Sequence, residues 1–388
     1  MASRDPENQH SQAVFVCVVV VALISLAVYG FAFAEATSGQ NRRQQTSKTP
    51  KPSPTPAAPN KLGNAPPPPV LRQRSEEDNR PGDNRSGDVI SVETNEVMLP
   101  VTVRDTNGRL VSDLTRNDFH VFEDNREQPL SELSLRQVPV DVILMVDASS
   151  SVATNLDDFR RAAEQFALQL DVNDRISLIK FDDDVELLQD WTRSRFQFHR
   201  SLNRIKPGMF TRFNDALMLA AHDQFGRTQS RRAIIVLSDG IDSGRGASSA
   251  DQALQAILTA QVTVYVISNT EIARATKRAQ LDSLTSSTAA NFNQLRIEDL
   301  REGIRVLDES EVRLGQLADS SGGRLYKPPS FDRLDDAYRE VANELRRQYV
   351  LYYTPLNKSR DGTFRRVNVR TGNPQYKTTS RIGYYAPN

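Results

Sequence analysis

The chain has almost no cysteine, few histidines and no excess of positive charge. It contains one cysteine, Cys17, in 388 residues, so no disulfide can form within it and thiolate zinc sites are excluded. Its four histidines show no metal-ligand spacing. Lysine plus arginine and aspartate plus glutamate number 49 each, which leaves no excess of positive charge for a phosphate backbone. Nucleic acid is therefore not an expected partner.

Motifs for phosphate binding and for hydrolysis are also missing. The glycines between Gly240 and Gly246 are not followed by the Lys-Ser/Thr pair of a phosphate-binding loop. No serine has a histidine base nearby in sequence, although such bases often come from elsewhere in a fold. We therefore expect no catalytic residues and no enzymatic activity.

The N-terminal segment, residues 1–38, contains a long uncharged apolar run. This run extends from Ala13 to Ala34, which is enough to cross a bilayer as a helix. The apolar core of a signal peptide is usually shorter, which favours an uncleaved transmembrane anchor. The small residues of Ala32-Phe33-Ala34 nevertheless match a cleavage site, so the alternative is a signal peptide. Either way, the segment predicts association with a membrane.

The distribution of charged residues does not fix the orientation of the apolar run in the membrane. Arg4 precedes the apolar run, whereas Arg42, Arg43, Lys48 and Lys51 follow it, and basic residues favour the cytoplasmic side. Large domains, however, can be translocated largely regardless of charge. We expect a membrane-anchored protein with an extracytoplasmic body, or a secreted one; a body facing the cytoplasm is the alternative.

Residues 39–87 have the composition of a linker. They are rich in proline, serine, asparagine, glutamine and charge, and they include the run Pro66–Pro69. Such a composition cannot bury a hydrophobic core. We therefore predict an extended, disordered linker that holds the rest of the chain away from the membrane.

Residues 88–139 change to a two-residue period. Apolar Val97, Leu99, Val101 and Val103 alternate with their neighbours, as on a half-buried strand, and Pro100 favours an edge position or a bulge. Short strands are also expected near the other end of the chain, within 348–388, at Tyr349–Tyr353, Phe364–Val369 and Arg381–Tyr385. Neither flank has enough strands to fold alone. We therefore predict one small β-sandwich made by both flanks, with the intervening segment inserted between them.

Residues 140–347 alternate buried strands with helices. The run Val142–Val146 is continuously apolar, as expected of a strand with both faces buried. Three further apolar runs follow at Ile176–Phe181, Ala233–Leu237 and Val262–Ile267. This alternation predicts an α/β fold with a doubly wound, mostly parallel, Rossmann-like sheet. The turn Asp182–Asp184 adds one antiparallel edge strand, 271–312 is typical of surface helices, and Gly322-Gly323 is a helix stop.

Polar residues follow two of the buried strands where a doubly wound sheet binds ligands. Asp147, Ser149 and Ser151 come after the first strand, and Asp239 follows the strand that ends at Leu237. Thr211 lies in a polar loop before the helix that starts near Phe213. Carboxylates and hydroxyls at one sheet edge suit a hard cation. Taken alone, Asp147-x-Ser149-x-Ser151 is also compatible with a helix cap.

Together these residues resemble the von Willebrand factor A family and its metal-ion-dependent adhesion site. The resemblance implies that Asp147, Ser149, Ser151, Thr211 and Asp239 hold Mg²⁺ (or Mn²⁺), the hydroxyls directly and the aspartates mostly through water. Neutral hydroxyls leave the cation incompletely neutralised, so it attracts an acidic side chain of a protein partner. Met209 and Phe210 depart from the small residues that the family often has before the threonine. Arg212 is either an attractor of that acidic ligand or a solvated charge.

The flanks resemble the bacterial "VWFA-related acidobacterial domain" proteins. The similarity lies in Pro100–Val103, Val121–Asp124, Tyr352–Pro355, Asp361–Phe364 and Gly383–Pro387. It implies an architecture more than an activity. Two functions follow from the resemblances: a non-catalytic, cation-dependent adhesion module, or an assembly or chaperone-like subunit that works with a MoxR-type ATPase.

Overall fold

The computed structural model describes residues 96–135, 138–149, 155–225, 230–286 and 293–388. The apolar run Ala13–Ala34 and the linker 39–87 lie outside these ranges, as does Ser151. Within them, no helix is both long and apolar enough to span a bilayer.

The described ranges contain fourteen strands and seven α-helices. The strands are β1 (Val97–Arg104), β2 (Phe119–Glu123), β3 (Arg126–Gln128), β4 (Leu130–Leu135), β5 (Val140–Asp147), β6 (Arg175–Phe181), β7 (Val185–Thr192), β8 (Arg231–Ser238), β9 (Thr263–Ser268), β10 (Leu325–Tyr326), β11 (Tyr349–Tyr353), β12 (Phe364–Thr371), β13 (Lys377–Thr379) and β14 (Gly383–Tyr385). The helices are α1 (Leu156–Gln169), α2 (Arg195–Leu202), α3 (Phe213–Leu219), α4 (Ala250–Thr259), α5 (Thr270–Thr285), α6 (Gln294–Ser321) and α7 (Leu334–Arg347).

The central sheet has six strands in the order β10-β9-β8-β5-β6-β7. All neighbours are parallel except β6 and β7, which form the antiparallel hairpin predicted at Asp182–Asp184. Strand β5 lies in the middle with both faces buried: Val142, Leu144 and Val146 pack on the side of α1 and α7, and Ile143 and Met145 pack on the side of α3 and α6. The predicted doubly wound, mostly parallel sheet is confirmed.

The polar segment 271–312 is helical, as predicted, and its second helix is longer than expected. Helix α6 continues through residue 312 to Ser321 and ends at Gly322, which has the positive φ (81°) that glycine tolerates best. A Cβ on Gly322 would also lie 2.4 Å from the backbone nitrogen of Arg381. The predicted helix stop therefore serves both the turn and a close contact with the C-terminal strands.

Two four-stranded sheets form the β-sandwich, and each contains strands from both flanks. Their orders are β13-β1-β11-β4 and β14-β12-β2-β3. The alternating residues of β1 point into the shared core, where Leu99, Val101 and Val103 are fully buried against Tyr349 and Tyr353. The insertion of the α/β segment into a sandwich made by the flanks is confirmed. The C-terminal flank contributes four strands, however, and not the two or three expected.

β1 is an interior strand of its sheet, but it has a partner on one side only at Pro100, so the predicted edge position holds locally. On one side, β1 pairs with β11 over Val97–Val101; on the other, β13 covers only Thr102–Arg104. Pro100 thus falls in the half of the strand that pairs on one side in the described sheet. This arrangement accommodates a residue without an N–H donor.

The chain enters and leaves the α/β domain at neighbouring points, as the insertion requires. Arg231, at the start of β8, donates to the carbonyl oxygens of Val138 (2.9 Å) and Leu345 (2.8 Å). Val138 precedes the first strand of the domain and Leu345 lies in its last helix. The buried Arg231 guanidinium therefore bridges the two connections to the sandwich.

A buried carboxylate forms a second bridge between sandwich and domain. Glu344 on α7 is 1% exposed and accepts hydrogen bonds from Thr102 Oγ1 (3.1 Å) and Tyr326 Oη (3.1 Å). It also pairs with Arg104 of the sandwich. One side chain thus joins β1, α7 and β10.

Removal of the C-terminal flank tests the shared sandwich. A chain truncated after Arg347 loses β11 and β12, which pair with β1, β4 and β2. We expect residues 96–135 to become sensitive to protease and prone to aggregate through exposed strand edges, as followed by limited proteolysis with mass spectrometry. If they stayed protected, the two flanks would be independent and the shared sandwich would be wrong.

Glu344→Ala tests the bridge. It should lower the free energy of unfolding by roughly 2–4 kcal/mol, because it leaves two buried hydroxyls and a partly buried guanidinium without their acceptor. Urea denaturation measures the change. Glu340→Ala on the exposed face of the same helix is the matched control and should change stability by less than about 0.5 kcal/mol. Equal effects of the two substitutions would contradict the role given to Glu344.

Candidate metal centre

The predicted site residues lie where the direction of strand connection reverses. From β5 the chain continues to β6 on one side, whereas β8 lies on the other side. Ligands of doubly wound sheets bind at this switch point, beyond the carboxyl ends of the strands. Asp147 is the last residue of β5, and Asp239 directly follows β8. Because these two strands are parallel neighbours, their carboxyl ends bring the two aspartates to the same edge.

Asp147 is a fully buried carboxylate held by hydrogen bonds from Ser149 and Ser238. Its Oδ1 accepts from the Ser149 backbone N–H (2.9 Å), and its Oδ2 accepts from Ser238 Oγ (2.7 Å). Burial, and next the negative charge of Asp239, raise the pKa of Asp147 to about 7, against the opposing effect of these hydrogen bonds. The site therefore places two like charges near each other where little water can screen them.

Asp239 is supported by α6. Its Oδ1 accepts from the Ile241 N–H (3.1 Å), and its backbone carbonyl accepts from Ser310 Oγ of α6. Gly240 follows with a φ of 70°, and a Cβ there would lie 2.6 Å from Leu314 of the same helix. The turn after β8 thus requires glycine, and α6 holds the turn in place.

The loop that carries Thr211 is fastened over the end of β5. The Gly208 N–H donates to the carbonyl oxygen of Ala148 (2.8 Å), which lies between Asp147 and Ser149. A Cβ on Gly208 would lie 2.5 Å from the carboxyl group of Asp182, so this close approach depends on glycine. Asp182 is itself buried and paired with Lys180 (2.9 Å). Asp182, predicted as a turn residue, therefore also packs against the loop that carries Thr211.

Thr211 is joined to the loop that follows Asp239. Its backbone N–H donates to Ser243 Oγ (2.8 Å), and the Ser243 N–H donates to its carbonyl oxygen (2.9 Å). Thr211 is 6% exposed, close to the values for Ser149 and Asp239. These contacts bring three loops together at one edge of the sheet.

The structure therefore collects Asp147, Ser149, Thr211 and Asp239 at one edge, and Ser151 lies outside the described residues. It does not leave Arg212 free: the guanidinium donates to Asp215 Oδ2 (2.9 and 2.6 Å). Arg212 is 32% exposed and ion-paired to Asp215, so it is a partly solvated charge that already has a partner.

Sequence reasoning missed the residues that support the site. Ser238, Ser243 and Ser310 each donate or accept a hydrogen bond at one of the site residues or its turn. Ser238 had a detectable signal, because it is the polar residue that ends an apolar strand beside Asp239. Ser243 and Ser310 had none, since each partner is far away along the chain.

The donor set fits a hard divalent cation. It consists of two carboxylates and at least two hydroxyls, all oxygen donors. In the described part of the chain no three histidine, cysteine, aspartate or glutamate side chains cluster as a metal site, so a cation here depends on the hydroxyls. A positive charge would also relieve the repulsion between Asp147 and Asp239.

A family model matches the part of the chain that builds this edge. Residues 142–241 match the von Willebrand factor type A domain, and this range includes Asp147, Thr211 and Asp239. The chain contains a von Willebrand factor type A domain. The matched range does not include the sandwich, so the resemblance of the flanks to one bacterial family stays a prediction. The curated proteins contain no match to the sequence.

Several solved structures are similar to part of the chain. Proximal thread matrix protein 1 from the mussel byssus is 14% identical over 58% of this chain and 51% of its own, with a TM-score of 0.42. A von Willebrand factor type A structure from Catenulispora acidiphila is 12% identical over 76% and 64%, with a TM-score of 0.42. The vWF domain of the type V pili tip protein Mfa5 from Porphyromonas gingivalis is 13% identical over 54% and 95%, with a TM-score of 0.39. This chain thus spans about half the length of the mussel protein.

Asp147→Asn separates the charge of the A-domain site from its packing. Mg²⁺ or Mn²⁺ should raise the melting temperature of the parent protein, because a ligand that binds only the native state stabilises it. The variant should lose this rise, yet melt at or above the parent temperature without cation, since one of two like charges is gone. Calorimetry with each cation and with EDTA measures both effects.

Asp157→Asn is the control for this measurement. Its carboxylate is 95% exposed on α1, and its removal should leave the cation response intact. A full cation response in Asp147→Asn would refute the metal assignment.

Proposed function

We propose that this protein is a non-catalytic binding module that holds a partner protein through Mg²⁺ or Mn²⁺. Asp147, Ser149, Ser151, Thr211 and Asp239 would hold the cation. The observation that carries the proposal is the pair of buried carboxylates at the switch point, with hydroxyl-bearing residues fastened beside them. The match of residues 142–241 to the von Willebrand factor type A domain supports it.

The chemistry of the donor set indicates what the partner presents. Asp147 and Asp239 are the carboxylates of the site, and the other proposed donors are neutral hydroxyls. When bound, a divalent cation supplies an attraction for one more oxygen ligand of negative charge. An aspartate or glutamate of the partner provides that ligand. The chain's own contribution is to hold the hydroxyls and carboxylates in place through Ser238, Ser243 and Gly208.

The proposed location is outside the cytoplasm, either tethered through Ala13–Ala34 or secreted. The apolar run and the following linker support this placement. Topology mapping with a reporter fused after Asn388 tests it, and the reporter should be active only outside the cytoplasm. A cytoplasmic reporter would overturn this location and favour the assembly-subunit alternative.

Partner capture tests the function itself. Proteins retained from cell extract in the presence of Mg²⁺ should be lost on addition of EDTA. Thr211→Val keeps the shape of the side chain and removes its hydroxyl, and Ser149→Ala removes another; each should reduce capture about tenfold or more. Quantitative mass spectrometry of the retained proteins provides the measurement.

His199→Ala is the matched control for capture. His199 is half-buried on α2, where it pairs with Glu164 (3.0 Å), and its removal should leave capture unchanged. If the His199 variant lost as much capture as Thr211→Val, binding would lie elsewhere on the surface.

A further inference from the structure

An arginine is stacked on the residue next to Thr211. The guanidinium carbon of Arg245 lies 3.3 Å from the centre of the Phe210 ring, and Phe210 directly precedes Thr211. Arg245 is exposed and belongs to the loop between β8 and α4. An exposed arginine has many rotamers, so a ring beneath it restricts where its charge is found.

The backbone around Arg245 is fastened to the start of α3. Asp215 Oδ1 accepts from the N–H groups of Ala247 (3.1 Å) and Ser248 (2.9 Å). On the other side of Arg245, Asp242 Oδ2 accepts from the Asn214 N–H (3.0 Å), and Ser243 forms two hydrogen bonds with Thr211. Both sides of the arginine are therefore tied to the Thr211 loop and the helix that follows it.

Arg245 is a cation of the rim that the neighbouring acidic groups leave available, and it is the one that an aromatic ring holds in place. Arg212 is neutralised by Asp215. Asp242 and Asp183 accept backbone N–H groups, from Gly244 (2.8 Å) and Met209 (2.9 Å) among others. Within the described ranges Arg245 makes no ion pair, and its side-chain contact is the ring of Phe210.

We infer that Arg245 is a specificity-determining residue that binds a second acidic group of the partner, beside the one taken by the cation. This inference rests on the proposed function. Phe210 acts as a positioning residue, since it holds the guanidinium at the rim of the site. The partner segment is therefore doubly acidic.

The spacing of the two acidic groups follows from the geometry. Neighbouring Cα atoms are about 3.8 Å apart, so a guanidinium stacked on Phe210 lies on the order of 10 Å or less from the Thr211 side chain. An extended peptide advances about 3.3 Å per residue. The two acidic residues of an extended partner segment should thus lie one to three positions apart.

Selection from a random dodecapeptide display library tests the inference with a defined probe. With the full chain and Mg²⁺, the enriched peptides should carry two acidic residues at that spacing. Arg245→Ala should reduce this preference to a single acidic residue and weaken binding of a selected peptide about fivefold. Arg245→Glu should replace the second acidic position with lysine or arginine, and Phe210→Leu should weaken the preference without reversing it.

The controls separate this inference from the function on which it rests. Lys206→Ala removes an exposed cation of the Thr211 loop and should leave the selected pattern unchanged. A pattern with one acidic residue in the parent, or one that Arg245→Glu does not alter, would overturn the role of Arg245 while the cation-dependent site stands. If no peptide were enriched in a cation-dependent way, the proposed function and this inference would both fall.

Discussion

The parallel winding of the central sheet determines where the candidate metal site and the connections to the sandwich lie. Parallel strands share one carboxyl edge and one amino edge, and the helices return the chain from the first to the second. The carboxyl edge receives Asp147 and Asp239, whereas the amino edge receives Val138. The last helix ends at the amino edge as well, where Arg231 contacts Leu345. The site and the sandwich are consequently built at opposite ends of one sheet.

Buried carboxylates have different partners at the two ends of the sheet. At the sandwich end, Glu344 has a cationic partner and two hydroxyl donors, and in the sandwich core Glu123 accepts from Tyr353 (3.0 Å) and Tyr384 (2.9 Å). Buried charges with such partners hold a structure together and cost much when one partner is removed. At the other end, Asp147 has donors, but its burial and then the like charge of Asp239 raise its pKa. An electrostatic conflict that packing alone would avoid is typical of a functional site.

Much of this architecture was predictable because its signals are local. Continuous apolar runs indicated strands buried on both faces, the alternation of Val97 to Val103 indicated a sandwich strand, and Gly322 marked the end of a helix. The site residues followed from their position after buried strands together with a family resemblance. Strand β13, by contrast, has only three residues, Lys377–Thr379, without an apolar pattern, so periodicity missed it.

The contacts that join distant segments were not predictable from one sequence. Arg231, Glu344 and Arg245 are ordinary charged residues until the fold brings their partners to them. The pairing of Arg212 was missed for a related reason. Its adjacency to Thr211 suggested a role at the site, but Asp215 lies one helical turn further along and takes its charge. A sequence pattern shows which residues are polar, but it does not show which of them form ion pairs or hydrogen bonds with each other in the fold.

Helix α6 connects the two ends that the sheet keeps apart. Ser310 donates to the backbone carbonyl of Asp239, and Leu314 packs where a Cβ on Gly240 would lie. About 15 Å further along the helix from Ser310, its last turn meets the sandwich: Ser320 accepts from the Ile382 N–H (2.9 Å), and Gly322, just after the helix, lies against Arg381. The helix that holds the turn of Asp239 is therefore also fixed at its far end by the sandwich, so the two ends of the sheet share one support.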